Sequence, residues 1–469
     1  VSEPSDGQPV EIREPQGDQL SKDENQESRS SVRSSLRSVF SWHNYAVYLV
    51  TSWIFSAFTA IWSLLNLYLR TLDWDFLQIG SVMMIVSVTS AIARIVGGYV
   101  GDTIDRKKLS VIAMFMVAAS HLTIGLFTDF TMVLFGLMIY AMMDLAKGGS
   151  SAYIMDNIPQ KDSGLALSLF TAGGSFGVVT LIAFGALVPL VGFGSAMRST
   201  FVVAGLLFFV CTAARARFLA SSRPKVRVSG IPLWKDFLHE NRHAVNLLLT
   251  IMPGVLVIVI LDSLSDAVFG FAALLYANEF LGVSISDITI IVLVPLVVSV
   301  PLLLKIGRFS DQRGVKRAAI AVYSVMPVCA VLLMIAPAVP YWAPPLFVET
   351  AESLMKGLGV VFTTPFLAIV MKNINDTLWM LVLLTLIQKR LPRQDTSKIL
   401  AVFWFIVYLF TSIGPFIGGI LFTYSSPSHL FAVVAILNVI ILASIARTGL
   451  VRKDNELTGP TSVIRAAEE

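Results

Sequence analysis

Apolar residues run through this chain in long blocks, and polar residues gather in short connections between them. Twelve blocks occupy 44–69, 77–100, 109–128, 131–155, 163–190, 198–217, 246–278, 287–308, 318–338, 362–391, 398–423 and 428–447. About 20 mostly apolar residues in a helix cross the hydrocarbon of a bilayer. The pattern therefore predicts an all-α membrane protein with twelve transmembrane helices. Residues 1–40 break it: they are rich in Glu, Gln, Ser and Asp, with few large apolar groups. Such a segment cannot bury a core and reads as a disordered tail.

The longest connection, 218–245, divides six blocks from six and carries Arg223, Lys225, Arg227, Lys235 and Arg242. The predicted organisation is a tail (1–40), a six-helix bundle (41–217), a linker (218–245), a second bundle (246–447) and a short tail (448–469).

Two repeats make the halves copies of one unit. Gly98-Tyr99-Val100-Gly101-Asp102-Thr103-Ile104-Asp105-Arg106-Lys107-Lys108 closes block 2. Gly307-Arg308-Phe309-Ser310-Asp311-Gln312-Arg313-Gly314-Val315-Lys316-Arg317 closes block 8, 209 positions later. A second pair, Ile158-Pro159-Gln160-Lys161-Asp162-Ser163 and Leu391-Pro392-Arg393-Gln394-Asp395-Thr396, is offset by 233. The second half therefore holds 24 extra residues, placed at about 339–361 and read as a loop with a short amphipathic helix. A competing frame makes 345–371 span 10, but it strands the apolar 378–391 outside the membrane.

Composition agrees with this reading. Only 14% of residues are charged and the mean hydropathy is +0.75, against about 25% charged in soluble domains. The net charge of +4 collects in loops, so nucleic acid is not implied. Lysine and arginine crowd the connections holding both repeats and the linker, while the opposite connections hold little beyond Arg70, Arg198 and Lys356. The positive-inside rule puts both termini and both repeats in the cytoplasm, with the cell membrane as the expected location. No cleavable signal peptide is apparent. Cys211 and Cys329 lie in apolar blocks and read as small buried groups.

The paired loops resemble the signature loop of the major facilitator superfamily and its repeat, and the likeness extends over roughly 44–447. It implies two six-helix bundles related by pseudo-twofold symmetry, with spans 1, 4, 7 and 10 around a central cavity. It also implies a conformational latch from Gly101, Asp102 and Arg106 and from Asp311, Arg313 and Gly314. The first copy departs by carrying Asp105 where the second keeps Gly314. The family's span-4 arginine is missing, since Gly136 falls near that place, and so is the proline of the antiporter signature in span 5.

The residues point to the same four spans. Ser52, Ser56, Thr59, Ser63 and Asn66 recur at spacings of 4, 3, 4 and 3 on one face of span 1. Asp144 and Lys147 fall in span 4, Asp262 and Asp266 in span 7, and Lys372, Asn375 and Asp376 in span 10. A charge at the bilayer centre costs about 2.5–3.5 kcal/mol on insertion scales, so such groups face a cavity or a partner. Asp144–Lys147 and Lys372–Asp376 are spaced as intrahelical ion pairs. Asp262 and Asp266 share a face with no cation on their own helix, a setting suited to proton uptake. Lys147 and Lys372 are their possible partners from across the cavity. Phe269 and Tyr276 offer aromatic walls for a flat or cationic molecule.

Gly173-Gly174-Ser175-Phe176-Gly177 matches a nucleophile motif but lies within a membrane helix, so helix packing is expected there. No P-loop, metal cluster or cofactor motif is found. The expectation is a non-enzymatic, monomeric secondary transporter in the lipid bilayer, moving a small-molecule solute with a proton, or sodium, as coupling ion. Export of amphipathic or cationic compounds leads. Nutrient or zwitterion uptake is the alternative, and a non-transporting receptor on the same fold is the rival of another class.

Overall fold

A computed structural model of the protein describes residues 40–447 apart from 42, 101–103, 158–168, 171, 222–241, 243–244, 247, 251–252, 356 and 391–395. The predicted tails, most of the linker, Lys161, and Gly101 and Asp102 of the first latch lie outside the described residues.

Helices dominate. In the first half they are α1 (Asn44–Arg70), α2 (Phe76–Val100), α3 (Arg106–Leu126), α4 (Phe130–Asn157), α5 (Gly173–Val191) and α6 (Phe193–Phe218). In the second half they are α7 (Pro253–Glu279), α8 (Ile285–Arg313), α9 (Val315–Ile335), α10 (Pro345–Leu354), α11 (Thr364–Arg390), α12 (Thr396–Tyr424) and α13 (Pro427–Arg447). Eleven of these are long and apolar enough to cross a membrane, and α4, apolar over Phe130–Ala146, makes the twelfth. Only α10 does not span, so predicted spans 10 to 12 are α11 to α13. Large apolar side chains such as Ile92, Phe115, Phe135, Val179, Val210 and Ile436 are exposed on the outer faces, as a lipid-facing belt requires.

The polar connections act as helix starts. Asp75 and Gln78 form a reciprocal capping box at α2, with bonds of 2.7 and 3.0 Å. Asp129 accepts from the Met132 amide at the head of α4. The two repeat copies begin their next helices differently. The Asp105 side chain caps α3 by accepting from the Lys107 amide at 2.9 Å. Gly314 starts α9 with φ +87°, a conformation that disfavours any side chain. The departure at Asp105 thus replaces a backbone cap with a side-chain cap.

The segment between α9 and α11 is a tied loop that carries α10. The Trp342 amide donates to the Phe362 carbonyl at 3.1 Å, and Tyr341 bridges Thr363. Glu352 of α10 accepts from the amides of Gly357 and Gly359. This tied loop, with α11 beginning only at Thr364, overturns the competing frame for span 10. We call its face the insertion side and the opposite face the linker side.

Each half packs chiefly within itself, and α2 against α12 is the main seam between them. Small residues bring these backbones together. A Cβ on Gly80 would strike the Pro415 carbonyl and lie 3.2 Å from the Gly419 Cα. The Gly173 motif is a packing element as expected, its first glycine lying against the Trp53 ring. Cys211 and Cys329 are buried free thiols.

Gly80→Val should overpack the seam at a cost of about 1–3 kcal/mol, read as a lower Tm in detergent. Gly174→Ala, where the added carbon meets open space, should leave the Tm unchanged.

Candidate functional site

The ionisable residues of the second half meet across two helices. On α11, Lys372 and Asp376 stand one turn apart, and the Lys372 Nζ lies 2.6 Å from Asp376 Oδ2. On α7, Asp266 pairs with the same amine. The Lys372 Nζ also sits 5.1 Å above the Phe269 ring. The Lys372 side chain is only 4% exposed, while those of Asp266 and Asp376 are 46% and 29% exposed. One ammonium is thus buried between two carboxylates whose side chains are partly exposed, although Asp266 Oδ1 and Asp376 Oδ1 are themselves buried. Asn375 is buried beside this cluster on α11, and Tyr276 is buried against Phe431.

The expected pair of like charges on span 7 is divided. Asp266 has taken the Lys372 partner, and Asp262 points into the bundle wall. There Tyr323 of α9 donates to its Oδ1 at 2.8 Å, and Trp379 Nε1 of α11 donates to its Oδ2 at 2.7 Å. Asp262, Tyr323 and Trp379 are all buried. Helical spacing shows which residues share a face, but not what the next helix presents to them.

In the first half, Asp144 of α4 pairs with Arg94 of α2 at 2.8 Å and accepts from Ser90. The Lys147 side chain, its expected partner, lies outside the described residues. The Arg94 guanidinium also lies 3.9 Å over the Tyr408 ring of α12, so one arginine joins the two halves. Above Asp144, Tyr140 stacks on Trp62 at 3.9 Å between ring centroids. Trp62 Nε1 lies 3.2 Å from His121 Nε2, which makes His121 part of an aromatic nest.

The polar stripe of α1 has two fates. Ser52 is buried and accepts from Arg215 of α6 at 2.8 Å, in a structural knot that includes Thr51 and Ser110. It is not a cavity residue, and Arg215 is a tie the sequence reading missed. Thr59 and Ser63 are exposed, Ser56 is partly so, and Asn66 completes the stripe. Val50, Ile54 and Ala57, on the opposite face of α1, line an apolar cleft of about 660 Å³.

Of the latch residues, Gly314 caps α9 as described, and Arg106 begins α3. Arg313 lies 5.4 Å from the centroid of the Phe309 ring. Asp311 is placed on α8, its side chain outside the described residues. At the insertion side the halves are shut. Arg70 pairs with Glu279 at 3.1 Å, and Phe76 stacks on Phe422 at 4.9 Å and on Phe280 at 6.1 Å.

Comparison with known proteins agrees with this architecture. The family profile of the Major Facilitator Superfamily matches residues 47–378. The fold is similar to the nucleoside transporter NupG at a TM-score of 0.64 and 14% identity, covering 86% of this chain and 98% of that one. It is similar to a POT family transporter in complex with 5-aminolevulinic acid at 0.62 and 10%, covering 85% and 94%. The human organic anion transporter MFSD10 (TETRAN) gives 0.54 and 14%, covering 88% and 99%. No curated protein matches the chain significantly by sequence.

Arg94→Met should lower the Tm by removing a cation from Asp144, and adding Asp144→Asn should restore most of the loss. A double-mutant cycle on Tm should give a coupling of about 0.5–3 kcal/mol.

Proposed function

The chain belongs to the Major Facilitator Superfamily, and from that premise we propose a proton-coupled secondary transporter that exports amphipathic or cationic organic compounds by alternating access. The observation that carries this reading is the Asp266–Lys372–Asp376 cluster. The two carboxylates stay with the buried ammonium only while nothing else neutralises them. A proton or an organic cation arriving at these carboxylates competes with Lys372 for the same charge. Two ligands that exclude each other at one site, in a protein whose halves rock about it, give exchange of one for the other.

The aromatic shelf of Trp62 and Tyr140 supports a flat cargo. The Lys and Arg bias supports a cytoplasmic linker side, so that the closed insertion side faces outward. A lone protomer suffices, because the cluster is built within one chain. Uptake of a zwitterion is the second reading. Arg94–Asp144 favours it by placing both charges in the opposite half.

The test uses protein reconstituted in liposomes, with ethidium, a flat amphipathic cation, as probe. A pH gradient should drive its movement faster than in empty liposomes. Asp266→Asn should abolish the dependence on the gradient. Movement that ignores the gradient in the unaltered protein would sink the coupling.

A further inference from the structure

Four oxygens lie in a row inside the second bundle, each within hydrogen-bond distance of the next. Asp262 Oδ1 is 2.8 Å from the Tyr323 hydroxyl. That hydroxyl is 3.0 Å from Asn438 Oδ1 of α13. Asn438 Oδ1 is 2.9 Å from the Ser265 hydroxyl of α7. All four residues are buried. Three links need three protons. Tyr323 and Ser265 bring one each, and the Asn438 carbonyl oxygen brings none. The missing proton can come from the other end of the row.

We propose that Asp262 carries a proton in this conformation and that Tyr323 is the positioning residue that reports it to Asn438. With the proton on Oδ1, the acid donates to the Tyr323 oxygen, and Tyr323 donates to Asn438. Oδ2 stays an acceptor for Trp379, so the neutral acid is fully satisfied. When the proton leaves, the hydroxyl of Tyr323 must turn to the new carboxylate, as a charged acceptor outcompetes a neutral one. The contact from α9 to α13 is then two oxygens with no proton between them. The Asn438 amide must rotate, or the helices must part.

The site is placed where such a change can spread. Pro327 has no N–H for the Tyr323 carbonyl, and regular α-helix stops at Tyr323 and resumes at Val325. The row thus passes through a break in α9. The charged groups acting on Asp262 are Lys372 and Asp376 of α11, with Asp266 one turn along its own helix. Those three form the cargo cluster. A cation that draws Asp266 and Asp376 away from Lys372 changes the field at Asp262, which connects the cargo to the proton without contact between them.

This inference rests on the proton-coupled reading, but its test does not use transport. Infrared spectra of the purified protein in liposomes, taken across pH, should show the C=O stretch of a buried protonated carboxyl. Asp262→Asn should lose that band, and Asp266→Asn and Asp376→Asn should keep it. Tyr323→Phe, which removes only a hydroxyl, should shift the band to higher frequency because the acid loses its acceptor. Asn438→Leu should weaken the band at fixed pH, because Tyr323 is then free to donate to the carboxylate. Absence of the band at every pH, or a band unmoved by Tyr323→Phe, would overturn the proposal. The former would mean that the Asn438 amide donates instead. A band that behaves as expected in a protein that fails the ethidium assay would leave this assignment standing and remove the coupling.

Discussion

A lysine amine buried inside a bundle of membrane-spanning helices is the constraint around which the second half is organised. Lys372 is almost wholly buried, and no water of the lipid phase can solvate it. Two carboxylates from two helices and one aromatic face take that place. Removing one partner of such a group leaves a desolvated charge, far costlier than the pair itself is stabilising. The position of α7 against α11 is therefore set by charge as well as by packing. Asp262 gains its Trp379 partner from the same juxtaposition, since Trp379 stands two turns beyond Lys372 on α11.

The halves share a fold and differ in chemistry. Among the described residues, the first half pairs Asp144 with Arg94 and lends the arginine face to Tyr408 across the seam. The second half keeps two carboxylates open beside one buried amine, and a third sealed in the wall. The repeated loops carry the same asymmetry. Asp105 caps through a side chain, whereas Gly314 caps through a backbone angle open to few other residues.

Much of the fold was legible in the sequence because a bilayer imposes a length on every helix. The predicted 428–447 is observed as Pro427–Arg447, and 318–338 as Val315–Ile335. The insertion was legible because two landmarks at different offsets measure what lies between them. The site was legible only within single helices. The Lys372–Asp376 pair follows from spacing. Arg94 against Asp144, 50 positions apart, does not, nor does Tyr323 against Asp262, 61 apart. Ser52 shows the limit most clearly: its place on the stripe was right, but Arg215 from another helix decided its role.

The closed insertion side is built in two layers of unlike material. Arg70 and Glu279 are partly exposed, at 27% and 32% of their side chains, and form a rim that water and salt can reach. Beside them Phe76, Phe280 and Phe422 stack ring on ring, with Phe422 buried and Phe280 exposed, and these apolar contacts are indifferent to ionic strength. A single hinge would open both at once, yet they resist different things. The rim yields to hydration, and the rings yield only to something apolar that replaces their mutual contact. One closed face is thus held by a contact that salt weakens and by another that salt does not touch.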